Sequence, residues 1–415
     1  MSLKRALILS LSILFLVICS KENNPVTPDS SEPTLPRALS KAETDLISSE
    51  NEFAFKLFKE TVNVDKDKNI FISPLSISMA LGMTLNGADG ETKDAMVNTL
   101  EFADMTDEEI NSSYKSLIEL LLNLDSNVAM QIANSIWCLE GYPVIEDFKS
   151  VNRTYFDAEV STLNFFAPGA LDIINGWVYD NTNGRIEDII DEIPFNARLY
   201  VINALFFKGD WTYKFDPADT KDKDFFLLDE TSKTVKMMGI KTNFGYYDNE
   251  NFQAVDLPYG NGNYCMTIFL PKYEVEIDEI ASSFSQENWN NWINSFTERE
   301  VNLFLPKFKL DYKIEEKTKT VLTSLGMGVA FDEWAANFSR INENNELFIS
   351  RVIHKTFIEV NEEGTEASAA TVVEISYRGI GDDLTLAINK PFIFVIREKV
   401  SGTILFMGKI INPEY

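Results

Sequence analysis

From about residue 41 to Tyr415 the chain contains no Pro/Gly/Ser-rich linker, no low-complexity stretch and no internal repeat. The boundary that separate domains would need is therefore missing. A length of 415 residues alone would allow two or three domains, but an unbroken stretch has to close around one large core. A hydrophobic content of 45% supplies the material for it. A single domain over residues 41–415 is the expectation.

The first forty residues read differently. Lys4 and Arg5 form a short basic region, and Ala6 to Ile18 is a run of apolar residues and serines. That run has signal-peptide length and is too short to span a membrane, so residues 1–19 are expected to direct export. Cys19 closes the run in the setting Leu16-Val17-Ile18-Cys19, which looks like the lipobox of bacterial lipoproteins. Small residues usually precede such a cysteine and Ile18 is large. Membrane attachment through a lipidated Cys19 and ordinary secretion to the extracellular space both stay open. Pro25, Pro28, Pro33 and Pro36 stand among polar residues over 20–40, a composition too poor in apolar surface to order itself, and this segment reads as a disordered tether.

Asp plus Glu number 64 against 37 for Lys plus Arg, giving a formal net charge of −27. Such a chain repels nucleic-acid phosphates and anionic surfaces. Cys138 and Cys265 lie in apolar runs, Ile136 to Leu139 and Tyr264 to Leu270, and read as buried free thiols. No disulfide framework is expected.

Apolar periodicity places helices over 44–61, from Ser73-Pro74 onward, over 110–124 and over 171–190. Ser73 suits a helix N-cap and Pro74 the first helical position. The buried stripe of that second helix is read as Ile77, Ala80, Leu81, Thr84 and Leu85. For 171–190 the stripe is Ile173, Ile174, Trp177 and Val178. Strand-like runs follow at 199–207, 265–270, 301–305, 391–396 and 403–407. The class is mixed α+β with several sheets.

No catalytic constellation is present. His354 is the one histidine and no Cys-x-x-Cys occurs, which argues against a zinc site. Gly82 to Gly87 has a phosphate-loop spacing, but Ala88 stands where lysine is needed. A Gly-x-Ser-x-Gly elbow is absent, and adjacent carboxylates such as Glu362 and Glu363 are usually solvated. The chain reads as a non-enzyme needing no cofactor and no metal.

What is unusual is the stretch 361–389. A strand-like segment over 347–360 runs into Glu362-Glu363-Gly364 and then into small residues, and the next strand is expected only near Lys390. So long a connection in one domain is usually functional. It is also patterned like a strand: Thr365, Ala367, Ala369, Thr371, Val373 and Ile375 alternate with a more polar set. Gly364 supplies backbone freedom at its start.

Taken together, Asn361-Glu362-Glu363-Gly364-Thr365-Glu366-Ala367-Ser368-Ala369-Ala370-Thr371 resembles the hinge of an inhibitory serpin's reactive-centre loop, with Ser368 in place of a usual alanine. The runs at 69–78, 203–211, 389–394 and 405–413 resemble serpin landmarks in the same order, so the likeness covers about residues 41–415. It implies several helices packed on three β-sheets, an exposed reactive-centre loop, and suicide inhibition of a serine protease by a monomer through a covalent complex; a non-inhibitory serpin acting as a carrier or storage-like protein, and an exported hydrolase, are the alternatives that stay open. Counting from Glu362 as the family does puts the scissile bond at Arg378-Gly379; a loop one residue shorter would put it at Tyr377-Arg378 with a chymotrypsin-like target, and an elastase-like target is a further alternative. Arg378 is also the one basic residue between Glu366 and Lys390, which suits the acidic pocket of a trypsin-like protease.

The likeness also groups His354 with Ser73, Ser76 and Asn203 as a shutter cluster and makes Trp211 the breach tryptophan. Taken alone, His354 reads as a hydrogen-bonded core residue. Some serpins bind sulfated polysaccharide at the place of the 110–124 helix. Here Lys115 faces Glu108, Glu109 and Glu119, so no heparin-type polyanion is expected.

Overall fold

A computed structural model describes residues 33–314, 316–365 and 384–415. Helices are α1 (Lys41–Val64), α2 (Pro74–Leu85), α3 (Gly90–Thr99), α4 (Asp107–Asn123), α5 (Glu146–Phe156), α6 (Ala170–Asn181), α7 (Ile277–Ser283), α8 (Gln286–Ile293) and α9 (Glu316–Leu322). Their starts follow from local chemistry. Ser40 accepts from the Glu43 N–H while the Glu43 carboxylate reaches back to the Ser40 N–H, and Thr106 and Glu109 repeat this capping box at α4. Ser73 caps α2 with Pro74 in its first turn, as read from the sequence.

Among the described residues, nine strands form one hydrogen-bonded sheet: β1 (Ile70–Ile72), β5 (Lys221–Phe226), β6 (Ser232–Asp248), β7 (Phe252–Tyr259), β8 (Tyr264–Pro271), β9 (Thr297–Pro306), β13 (Leu384–Ala387), β14 (Phe392–Glu398) and β15 (Ile404–Ile410). The other sheet holds β2 (Val128–Leu139), β3 (Glu159–Leu163), β4 (Leu199–Asp210), β10 (Phe308–Ile314), β11 (His354–Val360) and β12 (Gly364–Thr365), in the order β10-β11-β12-β4-β2-β3. The three sheets expected are thus joined into two ladders. The long β6 pairs β5 and β9 along most of its length and then β7 through residues 245–248, which makes two of the sheets continuous.

The main core packs α1 and α2 against both sheets around Phe53, Phe58, Phe71, Phe394 and Phe406. A smaller core lies beside α6 and includes Trp137, Ile174, Val178, Ile189 and Ile202. Cys138 and Cys265 are buried free thiols, and burial pushes them up, to about 11 and about 12.

Several expectations need correction. The 171–190 helix ends at Asn181, because Asn183 and Gly184 take positive φ and the chain beyond them is a strap rather than a helix. On α6, Ile174 and Val178 are buried as expected, whereas Ile173 is half exposed and Trp177 only partly buried. The stripe on α2 is wider than expected: Ser76, Ser78, Met79 and Met83 are also buried, with Ala80 and Thr84 only partly so, because the helix sits among α1, β4 and β15. In the 347–360 segment only His354–Val360 makes a ladder; Leu347, Phe348, Ile349 and Val352 pack on the core without strand pairing. The chain re-enters a sheet at Leu384 rather than near Lys390.

Candidate functional site: the hinge and the slot between β4 and β11

The hinge motif makes a tight reversal. The Asn361 N–H donates to the Gly364 carbonyl at 3.0 Å, and the Glu363 N–H donates to Asn361 Oδ1 at 3.0 Å, so the asparagine side chain braces the turn that follows β11. The chain then enters the sheet as β12, with Val360 opposite Thr365 on one side and Asp210 and Gly209 opposite Gly364 and Thr365 on the other. A Cβ on Gly364 would lie 2.2 Å from the Gly209 carbonyl oxygen, so this position requires glycine for close approach. Among the described residues β4 and β11 each pair with β12 and not with each other.

Trp211 lies directly against this turn. Its backbone N–H donates to the Glu363 carbonyl at 2.8 Å and its indole Nε1–H to the Asn361 carbonyl at 2.9 Å, while its ring stacks on Tyr259 at 4.5 Å. The Tyr259 hydroxyl is 2.7 Å from Thr365 Oγ1, and both residues are buried. Lys307 meets Glu362 at 2.8 Å, Thr220 donates to the same carboxylate at 2.8 Å, and Lys214 meets Glu363 at 2.7 Å. Burial alone would raise the Glu362 carboxyl, but these hydrogen bonds outweigh it and hold the group below its ordinary value. Lys307, Lys214 and Tyr259 carry no signal in the sequence, because each reaches the hinge from a distant strand or loop.

The other grouped residues meet lower down. His354 Nε2 accepts from the Ser73 N–H at 2.9 Å; Ser73 Oγ donates to the Leu405 carbonyl at 2.8 Å and accepts from the Ser76 N–H at 3.2 Å. Ser76 Oγ lies 3.5 Å from the Asn203 carbonyl, and Asn203 Nδ2 donates to Asn134 at 2.8 Å. Asn203 Oδ1 is buried without a partner among the described residues. His354 and Asn203 therefore stand on opposite banks of the slot, His354 on β11 and Asn203 on β4, and share no direct bond here. Glu366 to Thr371, Tyr377, Arg378, Gly379 and Cys19 lie outside the described residues.

Burial pushes the His354 imidazole down to about 3, and its acceptor role toward an N–H also requires the neutral ring. The unfolded chain takes up this proton near 6.5. Stability from this group is therefore complete above about pH 6.5 and is lost as pH falls toward 3, by up to about 1.4 kcal/mol per pH unit. In paired melts between about pH 7 and pH 4, the parent should lose stability more steeply than His354→Gln, which cannot titrate. Parallel slopes would contradict the buried, neutral assignment.

The family model described as "Serpin (serine protease inhibitor)" matches residues 48–413. Leukocyte elastase inhibitor of Xenopus tropicalis is 34% identical over 89% of this chain and 100% of that protein. The native thermophilic serpin tengpin superimposes with a TM-score of 0.83 at 31% identity, covering 92% of this chain and 97% of that one. Human thyroxine-binding globulin complexed with thyroxine superimposes with a TM-score of 0.82 at 28% identity, over 90% and 100% of the two chains. With the family model spanning most of the chain and the 34% identical relative covered over its whole length, the chain belongs to the serpin family of serine protease inhibitors.

Proposed function

We propose that this protein is an exported suicide-substrate inhibitor of trypsin-like serine proteases. The protease serine Oγ attacks the Arg378 carbonyl, an acyl ester forms, and the Gly379 amine leaves. The freed segment then extends β12 as a full strand between β4 and β11, carrying the acylated protease with it before water can cleave the ester. Strand addition of this kind is an established mode of recognition, with serpin loops among its examples.

The observation that carries the reading is the entry of Gly364 and Thr365 between β4 and β11, followed in the sequence by alternating small residues that can enter the same slot. A carrier role without a trap, suggested by the likeness to thyroxine-binding globulin, leaves that small-residue pattern without a purpose. Residues 1–19 would direct that export, leaving the protein either anchored through a lipidated Cys19 or released.

The test is incubation with trypsin, chymotrypsin and elastase followed by denaturing electrophoresis. A trypsin complex that survives, and disappears in Arg378→Glu, is expected. Trypsin trapping unchanged in that variant would rule Arg378 out, and trapping of chymotrypsin instead would move the bond to Tyr377-Arg378.

A further inference from the structure

The strap over residues 182–198 ends in a turn that holds an aromatic side chain out into solvent. The Ala197 N–H donates to the Pro194 carbonyl at 2.9 Å, and Arg198 Nη1 donates to the Phe195 and Ala197 carbonyls at 3.1 Å and 3.0 Å. The turn is thereby fixed, yet Phe195 is 81% exposed. Phe166, just before α6, is 56% exposed, and the two rings lie 5.4 Å apart. Scattered exposed apolar residues need no explanation, but a rigidly presented aromatic pair has the form of a contact surface.

Its place in the sheet says what would cover it. Thr365 faces Gly209 in an antiparallel register, so each later residue of the loop entering the slot faces one residue earlier in the chain leading into β4. Carried down at that register, Arg378 comes to face Asn196, and Tyr377 would face Ala197. Either candidate for the acylated residue arrives within the turn that presents Phe195.

We infer that Phe166 and Phe195 form a docking surface for the translocated protease, an apolar contact made only after the loop has inserted. The inference rests on the proposed inhibitory mechanism. A protease tethered by its ester at that turn has its own surface held against the two rings, at the high effective concentration of an intramolecular contact. Apolar contact there opposes the motion that would let water reach the ester.

The test uses the full chain and Phe166→Ser/Phe195→Ser. Both side chains are exposed, so the melting temperature and the rate of complex formation should match the parent. The lifetime of the trypsin complex, read as recovery of protease activity, should shorten about tenfold, the size expected when two aromatic anchors are truncated. Phe195→Trp gives a second readout. Its emission should shift further in the covalent complex than in protein nicked by a metalloprotease, which inserts the loop without forming an acyl ester. Parental complex lifetime in the double serine variant, together with the same emission from Phe195→Trp in the complex as in the nicked protein, would overturn the docking surface alone. Failure of the parent to form any covalent complex would overturn the inhibitory reading and this inference with it.

Discussion

Under the proposed mechanism Thr365→Arg is expected to convert inhibitor to substrate: trypsin should cleave the loop, leave active, and consume at least about ten molecules of variant for each protease trapped. The parent residue is buried with its hydroxyl 2.7 Å from Tyr259, whose ring packs against Trp211 and Phe207. It is also the last described residue of β12, so every residue that inserts must follow it into the slot. An arginine there carries a charge and a bulky side chain into a buried position beside Tyr259, Trp211 and Phe207, at a cost of several kcal/mol.

That cost works against holding β12 in the slot, the strand end from which insertion must extend, whereas the proposed scissile bond stands thirteen residues further along the sequence and its acylation does not depend on Thr365. Two steps compete for the acyl-enzyme, and each 1.4 kcal/mol added to the insertion barrier gives hydrolysis a tenfold advantage. Thr365→Ser keeps the hydroxyl and should stay close to the parent. The measurement is the ratio of inhibitor to protease at full inhibition, with a gel to show cleaved variant accumulating. Unchanged trapping by the arginine variant would mean that Thr365 does not lead the insertion.

Local chemistry made much of this legible in the sequence. Ser73-Pro74, Ser40 with Glu43 and the alternating core strands announce their elements, since capping and periodicity are properties of neighbouring residues. The turn that opens the hinge motif also rests on local chemistry, with Asn361 bracing it and Gly364 allowing close approach to Gly209, whereas Glu366 to Thr371 lie outside the described residues. The strap was not. Ile186, Ile189 and Ile190 continue a helical spacing, but Asn175 replaces the helix's backbone partners: its Oδ1 accepts from the Ile189 and Ile190 N–H groups, both at 3.1 Å, and its Nδ2 donates to the Ile190 carbonyl at 2.8 Å. A side chain supplying those bonds lets an extended segment bury the same apolar residues. Ile173 then faces water while Ile189 and Ile190 join the core beside α6.

Lys307, Lys214 and Tyr259 escaped for a different reason. Each meets the hinge only because β7 and the chain after β4 and β9 converge at the end of the slot, and the sequence distance from Lys307 to Glu362 carries no periodic signal. The grouped serines, Asn203 and His354 were named through family likeness. The structure adds that the two banks of the slot divide them, with Asn203 Oδ1 left without a partner among the described residues.

The driving force for trapping should appear even without a target protease. Extending β12 down the slot adds on the order of ten backbone hydrogen bonds at about 0.5–1.5 kcal/mol each. Val373 and Ile375 follow Thr365 in the inward-facing set and would add their burial to that sum. A gain near 10 kcal/mol raises the melting temperature of a protein this size by about 12 °C.

The decisive measurement is therefore a pair of thermal melts, one on intact protein and one on protein nicked once in the loop by a metalloprotease. The nicked form should melt far above the intact form. Nicked protein that melts at or below the intact temperature would contradict insertion, and with it the trap.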